Sequence, residues 1–284
     1  MSLSGEEELM VYYARLVCSI MSILGALYII LGYFAMEQGR RPFAFRLIMY
    51  LSISDLLFST AMLLGPLKDT STLCQVQAVV ITLFGLATVL WTVSIALTMY
   101  LVVLSRSSNV EAHECKMMLV CFGLPVLVAV LPFLTESYGT NLEWCWLGIN
   151  DAEGPVWQVV VFYGPLWAAF AINSYFYWAI RQYLGLVLDD LVGITEEERE
   201  EKRKIVSRLQ WYPLVLFFCW LVGTVDCIYS YTQAEPIFVL SLLHYSLGSL
   251  QGAGNALVYG CNATVIGEIK RLCCKREEPL LSSN

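Results

Sequence analysis

The sequence predicts an all-α membrane protein: a bundle of seven transmembrane helices with its amino terminus outside the cell and its carboxyl terminus in the cytoplasm. Two observations predict the bundle. Of the 284 residues, 58% are hydrophobic and only 14% are charged, which is more apolar surface than one soluble core needs. The charged residues also fall in clusters, and the seven stretches between them are each long enough to cross about 30 Å of hydrocarbon. A third observation, the distribution of Lys and Arg, predicts the orientation.

The seven stretches between the charge clusters are long enough to be transmembrane helices. A transmembrane helix needs about 20 apolar residues, because each residue advances the helix by about 1.5 Å. The predicted spans cover about 12–36, 43–65, 73–104, 116–135, 156–184, 206–231 and 237–261. Because the connections are short, we expect one membrane domain over 1–276, followed by a short cytoplasmic tail, 277–284.

The orientation follows from the cations, because Lys and Arg in short loops are retained on the cytoplasmic side. With the first helix running inward, all of the 17 Lys and Arg residues except Arg15 and Lys68 fall inside. Nine acids then lie on the outer side against these two cations, so the outer face has a net charge of −7. Its negative field concentrates cations and repels anions. A solvated acidic surface without steering is the alternative.

The cytoplasmic side carries two further elements. Thr195 and Glu198 fit a capping box, which predicts that helix six extends beyond the membrane; a solvated, partly helical loop is the alternative. After helix seven, the sequence predicts a short amphipathic helix at the membrane surface. Cys273 and Cys274 would lie at its end, where cysteines are candidates for palmitoylation.

Two cysteines lie on the predicted outer side. Cys74 is at the outer start of helix three, and Cys145 is in the second outer loop, 136–155. The oxidising side of the membrane permits a disulfide between them, which would hold the loop as a lid over the bundle.

Five residues within the spans are costly to place in lipid, which makes each a functional hypothesis. They are Asp55, Asn173, Asp226, His244 and Asn255. We expect Asp55 to face the bundle, where it holds a proton, an ion or a hydrogen-bond network with Asn255; an inert, neutral acid is the alternative. Asp226 and His244 lie nearer the outer ends of helices six and seven, where a ligand would meet them, although each taken alone favours a structural role.

Candidates for an intramembrane switch combine two of these residues with three others. Pro165 lies inside span five, where it predicts a kink about which the helix can pivot. Trp91 and Trp220 are the span tryptophans deep enough for a core position. The switch candidates are therefore Asp55, Trp91, Pro165, Trp220 and Asn255.

Several classes of function are excluded. Helix seven has no lysine between Pro236 and Gly267, so a retinal Schiff base cannot form there. The sequence has neither the His, Cys and carboxylate spacing of a metal hydrolase nor a phosphate-binding glycine loop. We therefore predict no enzyme activity, no cofactor, no metal and no nucleic-acid partner.

Short motifs extend over nearly the whole chain and together are specific. They are Phe45-Arg46-Leu47 and Ser54-Asp55-Leu56 in helix two, Leu90-Trp91-Thr92 in helix three, Gly123-Leu124-Pro125 in helix four, Trp144-Cys145-Trp146 in the second outer loop, Phe162 to Trp167 in helix five, Cys219-Trp220 in helix six and Asn255 to Asn262 in helix seven. With these motifs the chain resembles the seven-helix receptors typified by the slime-mould cyclic AMP receptors, which have plant and protist relatives.

The resemblance implies a G-protein-coupled receptor, in which an outer agonist favours a conformation with the inner ends of helices five and six apart. It also supports Cys145 as the disulfide partner of Cys74. The candidates for binding an extracellular small molecule or peptide are Trp146, Tyr163, Asp226, Tyr231 and His244. The candidates for contact with a heterotrimeric G protein are Arg40, Arg41, Arg106, Lys202, Arg203 and Arg208. Membrane lipids are further partners, and we expect a multi-pass protein of the plasma membrane.

The sequence departs from the family pattern after Trp220, where an Asn and Arg pair is common. Here the positions are Asp226 and Cys227. With Arg15 and Lys68 as the outer cations, a cyclic nucleotide phosphate lacks the arginine partners that phosphate recognition favours, and we hypothesise that cyclic AMP is not a ligand. The alternatives to a receptor are a seven-helix transporter or channel for ions or small solutes, which inverted repeats would favour, and a membrane scaffold without a ligand.

Overall fold

The computed structural model describes residues 3–36, 43–65, 71–104, 109–141, 144–148, 153–190, 200, 211–232 and 236–260. Over these residues the chain is mostly helical. The helices are α1 Gly5–Ala35, α2 Phe43–Met62, α3 Thr72–Val103, α4 Val110–Thr135, α5 with the consecutive segments Gly154–Gln158, Val159–Tyr163 and Gly164–Asp190, α6 Trp211–Thr232, α7 Phe238–Ser249 and α8 Gln251–Gly260. The strands are β1 Tyr138–Asn141 and β2 Trp144–Leu147.

Among the described residues, the six helices α1 to α6 are long and apolar enough to cross a membrane, and α7 is a shorter apolar helix. Their outward faces carry large exposed apolar side chains, such as Leu24, Leu31 and Leu127. An apolar outer surface is stable where lipid is the solvent. Inside the bundle, α3 packs against α2, α4, α5 and the two strands, so it is the central helix.

Side-chain caps begin two of the helices. Ser4 accepts a hydrogen bond from the Glu7 N–H, and the Glu7 carboxylate accepts one from the Ser4 N–H, which completes a capping box at the start of α1. At the start of α3, Ser71 Oγ accepts a hydrogen bond from the Cys74 N–H at 3.2 Å. This cap fixes the first turn of α3 at Cys74.

Two helices contain a π-helical turn that ends two residues before a proline. In α4 the π segment is Leu119–Gly123, ahead of Pro125, and in α5 it is Val159–Tyr163, ahead of Pro165. Proline has no N–H and its ring clashes with the carbonyl four residues earlier, so the preceding turn widens. The distortion expected at Pro165 therefore takes the form of a π turn.

The seventh predicted span, 237–261, is interrupted. Leu250 ends α7 with φ −82° and ψ −3°, and its N–H donates to carbonyls of the preceding turn. Directly after it, α8 packs closely on α1 and α2: a Cβ at Gly252 would lie 3.1 Å from Cβ of Ser22 and 3.3 Å from Cβ of Asp55. A Cβ at this position would crowd both side chains, so Gly252 favours the close approach that brings α8 against the middle of α2.

Candidate functional site

A disulfide joins the start of α3 to β2. It links Cys74 and Cys145, which are 71 residues apart, with 5.1 Å between their Cα atoms. The predicted bond is therefore present. We call the end of the bundle at which it lies the disulfide end.

The segment expected to be a loop contains a hairpin whose second strand is buried in the bundle. All 4 residues of β2 are buried. The Cys145 N–H donates to Oε1 of Gln77 at 3.0 Å, and Gln158 donates from Nε2 to the Leu147 carbonyl at 3.0 Å. Indole Nε1 of Trp146 donates to Oγ1 of Thr82, also at 3.0 Å. Because buried polar groups without partners are costly, these bonds make β2 an integral layer of the core.

Trp144 covers a buried arginine. Its ring packs edge-on against Tyr245, with 4.4 Å between ring centroids, and lies 5.6 Å from the Arg15 guanidinium carbon. Arg15 is fully buried and donates from Nη2 to the Leu64 carbonyl at 3.4 Å. The sequence assigns Arg15 to the outer surface, whereas the fold encloses it in a cation–π contact beneath β2.

Two of the ligand-binding candidates form a buried pair between α6 and α7. Nδ1 of His244 lies 2.8 Å from Oδ2 of Asp226, and both side chains are buried. The His244 ring also stacks on Tyr245 at 4.7 Å. A buried acid requires such a partner, so the pair fixes the position of α6 relative to α7 at the disulfide end.

The two tyrosine candidates join α5 to α6. The Tyr163 hydroxyl donates to the Gly223 carbonyl at 3.2 Å. The Tyr231 hydroxyl donates to Oε1 of Gln158 at 3.0 Å and accepts from the Cys227 thiol at 3.0 Å. The structure thus brings all five ligand-binding candidates to the disulfide end, where each already has a partner within the chain.

An aromatic chain leads from β2 into the bundle. Trp146 contacts Phe162 edge-on at 5.9 Å between ring centroids, and Phe162 contacts Trp220 at 4.4 Å. Indole Nε1 of Trp220 then donates to Oε1 of Gln251 at 2.6 Å. The switch candidate Trp220 therefore connects the buried strand to α8.

Asp55 is bonded to Asn255, which lies one helical turn after Gln251 on α8. Its Oδ2 accepts a hydrogen bond of 2.6 Å from Nδ2 of Asn255, and its Oδ1 accepts one of 3.1 Å from the Thr88 hydroxyl. Gln251 and Asn255 are four residues apart and share a face of α8. Of the possibilities that the sequence raised for Asp55, the structure has the network with Asn255, and it joins α2, α3 and α8.

Trp91 lies elsewhere. It is fully buried, but its ring contacts Tyr50 at 5.0 Å and Phe122 at 5.4 Å. Tyr50 donates its hydroxyl hydrogen to Glu114 at 2.8 Å, and Arg46 contacts the same carboxylate at 3.0 Å. This cluster belongs to the opposite end of the bundle, so the structure does not bring Trp91 together with Trp220.

Some predicted residues lie outside the part of the chain that the structure describes. These are the G-protein-contact candidates Arg40, Arg41, Arg106, Lys202, Arg203 and Arg208 and the lipidation candidates Cys273 and Cys274. The same holds for the amphipathic helix after helix seven and for the Thr195 capping box. They stay predictions.

Sequence reasoning missed the glutamines that organise the site. Gln77 and Gln158 hold β2, and Gln251 holds Trp220. A signal was available, because each lies in an uncharged stretch where an amide is costly without a partner. Glutamine therefore belongs, with aspartate, asparagine and histidine, among the residues that are costly to place in a span.

Residues 3–266 match the sequence model of a family described as slime mold cyclic AMP receptor. The chain belongs to this family. It is therefore a multi-pass membrane protein of a receptor family, and not an enzyme.

Relatives come from a plant, a slime mould and a mammal. "G-protein coupled receptor 1" of Arabidopsis thaliana is 29% identical over 87% of this chain and 76% of its own length. "Cyclic AMP receptor-like protein A" of Dictyostelium discoideum is 26% identical over 86% of this chain and 62% of its own length. "G-protein coupled receptor 157" of Mus musculus is 24% identical over 88% and 82%. The names of these relatives agree with a receptor role.

Proposed function

We propose that the protein is a G-protein-coupled receptor of the plasma membrane, with its disulfide end outside the cell. An extracellular ligand acts at this end, and a heterotrimeric G protein binds at the cytoplasmic end. The observation that carries the proposal is the continuous route from Trp146 through Phe162, Trp220 and Gln251 to the Asp55 and Asn255 pair. Family membership supports the same role.

The transmission step involves α6, because α6 is bonded to α7 and α8 at two levels. Asp226 is bonded to His244 of α7, and Trp220 to Gln251 of α8. A movement that parts the inner ends of α5 and α6 must alter these bonds. A ligand drives it only by binding the altered arrangement more tightly than the present one.

Cyclic AMP is not the ligand in this proposal. Phosphate recognition favours accessible arginine donors, and Arg15, the one arginine that the sequence places outside, is enclosed beneath Trp144, while Asp226 adds an acid to the same end. Saturable binding of radiolabelled cyclic AMP to membranes that contain the receptor would contradict this statement.

The test is guanine nucleotide exchange on a panel of purified G proteins, with the receptor in lipid nanodiscs. Trp220→Phe keeps an aromatic ring but loses the N–H that donates to Gln251. A hydrogen bond of this kind stabilises the present arrangement by about 0.5 to 1.5 kcal/mol net. Its loss releases α6 from α8, so we expect ligand-free nucleotide exchange to rise about two- to tenfold. The matched control is Trp178→Phe, at an exposed tryptophan of α5.

Two results would count against the proposal. If Trp220→Phe and Trp178→Phe give equal exchange, the route through Trp220 is not used. If neither wild type nor any variant exceeds receptor-free nanodiscs with any G protein, the receptor is not G-protein-coupled.

A further inference from the structure

Strand β2 lies between helices α1, α3, α5 and α7 at the disulfide end. The disulfide attaches it to α3, and a hydrogen bond from Gln158 attaches it to α5. Its Trp144 packs against Tyr245 of α7 and contacts the Arg15 guanidinium of α1. The strand therefore occupies the space in which a molecule that entered the bundle from this end would have to bind.

Trp146 extends from the strand toward the middle of the bundle. Its indole Nε1 donates to Oγ1 of Thr82, which lies on α3 just over two helical turns beyond Cys74. That distance is about 12 Å along the helix axis. Trp146 is only 5% exposed, and its ring meets Phe162 of α5 edge-on. The indole thus fills a buried site inside the bundle.

This site has one polar group and an aromatic wall. The Thr82 hydroxyl donates its hydrogen to the Ala78 carbonyl at 2.9 Å, so its oxygen remains to accept from the indole N–H. The wall is the Phe162 ring, which packs against α3 at Gly85, where a Cβ would lie 3.3 Å from Cε2 of Phe162. A few placed polar groups in an apolar surrounding are typical of small-molecule sites. The site therefore suits an aromatic ring with a single N–H donor.

The chain supplies such a ring on a short tether. Cys145, the residue before Trp146, is bonded to Cys74, and its N–H donates to Gln77. A free molecule loses translational and rotational freedom when it binds, whereas a side chain next to a fixed residue has little of either to lose. The tethered indole therefore competes strongly with any free ligand for this site.

Filling the site supports the present position of Trp220. The Phe162 ring lies between the other two aromatic rings, with centroids 5.9 Å from Trp146 and 4.4 Å from Trp220. Trp220 in turn donates to Gln251 of α8. Because interiors are close-packed, withdrawal of the Trp146 ring leaves Phe162 without one of its walls and free to move away from Trp220. The bond between α6 and α8 is then weakened.

We propose that Trp146 is a tethered ligand: it fills the receptor's own site for an aromatic N–H donor and holds the bundle in its present, resting arrangement. An extracellular ligand then acts by displacing the indole. The sequence predicts Trp146 as a residue that contacts a ligand, whereas here its side chain takes the ligand's place. The resting role rests on the proposed receptor function, but occupation of the site does not.

The first test vacates the site and refills it, with the full-length receptor in lipid nanodiscs. Trp146→Ala leaves the disulfide in place and opens a cavity of indole size, and engineered apolar cavities bind small aromatic molecules. We expect added indole to raise the melting temperature of Trp146→Ala by several degrees, because it binds the folded state. Wild type, whose site is filled, should not respond. N-methylindole, which lacks the N–H, should stabilise Trp146→Ala less.

The second test measures guanine nucleotide exchange. Ligand-free exchange by Trp146→Ala should rise by about two- to tenfold, since the same bond between α6 and α8 is weakened, and indole should lower it again. If Trp146→Ala does not elute as monodisperse receptor in size-exclusion chromatography, Trp146→Phe takes its place and should also raise exchange, because it loses the bond to Thr82. The matched control is Trp157→Phe, which loses a similar bond to Thr135 at 2.7 Å and should leave exchange unchanged.

The outcomes separate the site from the receptor function. A melting temperature of folded Trp146→Ala that indole does not raise, or that N-methylindole raises equally, overturns the site. Exchange that falls in Trp146→Ala, or that is equal in Trp146→Phe and Trp157→Phe, overturns the resting role even where indole binds. Stabilisation by indole without nucleotide exchange by any variant on any G protein supports the site and overturns the proposed receptor function.

Discussion

Replacing Asn255 by alanine removes the hydrogen bond of 2.6 Å that its amide donates to Oδ2 of Asp55. The carboxyl group stays buried and keeps the Thr88 hydroxyl, at 3.1 Å, as the remaining partner that the structure gives it. The substitution therefore leaves an acceptor in a low-dielectric interior without its shortest hydrogen bond. Asp55→Ala, in turn, leaves the Asn255 amide without the carboxylate that accepts its hydrogen bond.

The expected loss of stability follows from the cost of an unsatisfied buried group and from the strength of hydrogen bonds between membrane helices. Leaving a buried polar group unsatisfied costs about 1 to 3 kcal/mol in soluble proteins. Interhelical hydrogen bonds in a membrane average only about 0.6 kcal/mol and reach about 1.7, because the unfolded state in lipid also finds partners. Since Asp55 joins three helices, we expect Asn255→Ala to lower the free energy of unfolding by about 1 to 2 kcal/mol. The double variant with Asp55→Ala should lose less than the sum, with a coupling of about 1 kcal/mol.

The assay is reversible unfolding in bicelles with increasing sodium dodecyl sulfate, followed by far-ultraviolet circular dichroism. Leu24→Ala is the control, because Leu24 is 62% exposed on the apolar face of α1. Its effect should stay within about 0.5 kcal/mol. A coupling between Asp55 and Asn255 of less than about 0.3 kcal/mol would refute the reasoning, because the pair would then not act as a unit.

Two further predictions concern the disulfide end. Gly223→Ala places a Cβ 2.6 Å from Cδ2 of His244, so the imidazole ring must move. We expect the free energy of unfolding to fall by about 1 to 3 kcal/mol. Gly185→Ala meets nothing within 4 Å and is the control; equal melting temperatures for the two variants would contradict the prediction. Cys74→Ser opens a covalent loop of 71 residues, for which chain entropy sets an upper limit of about 4 kcal/mol. Because the membrane already restrains the helix ends, we expect Cys74→Ser to lower the free energy of unfolding by about 2 kcal/mol, measured by thermal unfolding. The control is Cys115→Ser, at an exposed free cysteine, which should change the stability little. An equal loss for both variants would refute the role of the disulfide.

Much of the helical layout could be predicted because hydropathy is a local property. The third predicted span, 73–104, corresponds to α3 at Thr72–Val103, and the fifth, 156–184, lies within α5. The partner of Asp55 was also predictable, since a buried acid needs a donor and Asn255 is one of the few polar residues at similar depth. The π turn at Val159–Tyr163 was only partly predictable: Pro165 indicates a distortion, but not its form.

The sequence by itself determined that the chain is a helical membrane protein, that Cys74 and Cys145 can pair, and that it resembles a receptor family. Only the tertiary structure decided that β2 is buried, that Asp226 bonds to His244, and that helix seven breaks at Leu250. The physical reason is that these features depend on contacts between distant residues. The bond from Cys145 to Gln77 spans 68 residues and that from Tyr163 to Gly223 spans 60. No local pattern encodes which buried donor meets which acceptor, because that depends on how the helices pack against one another.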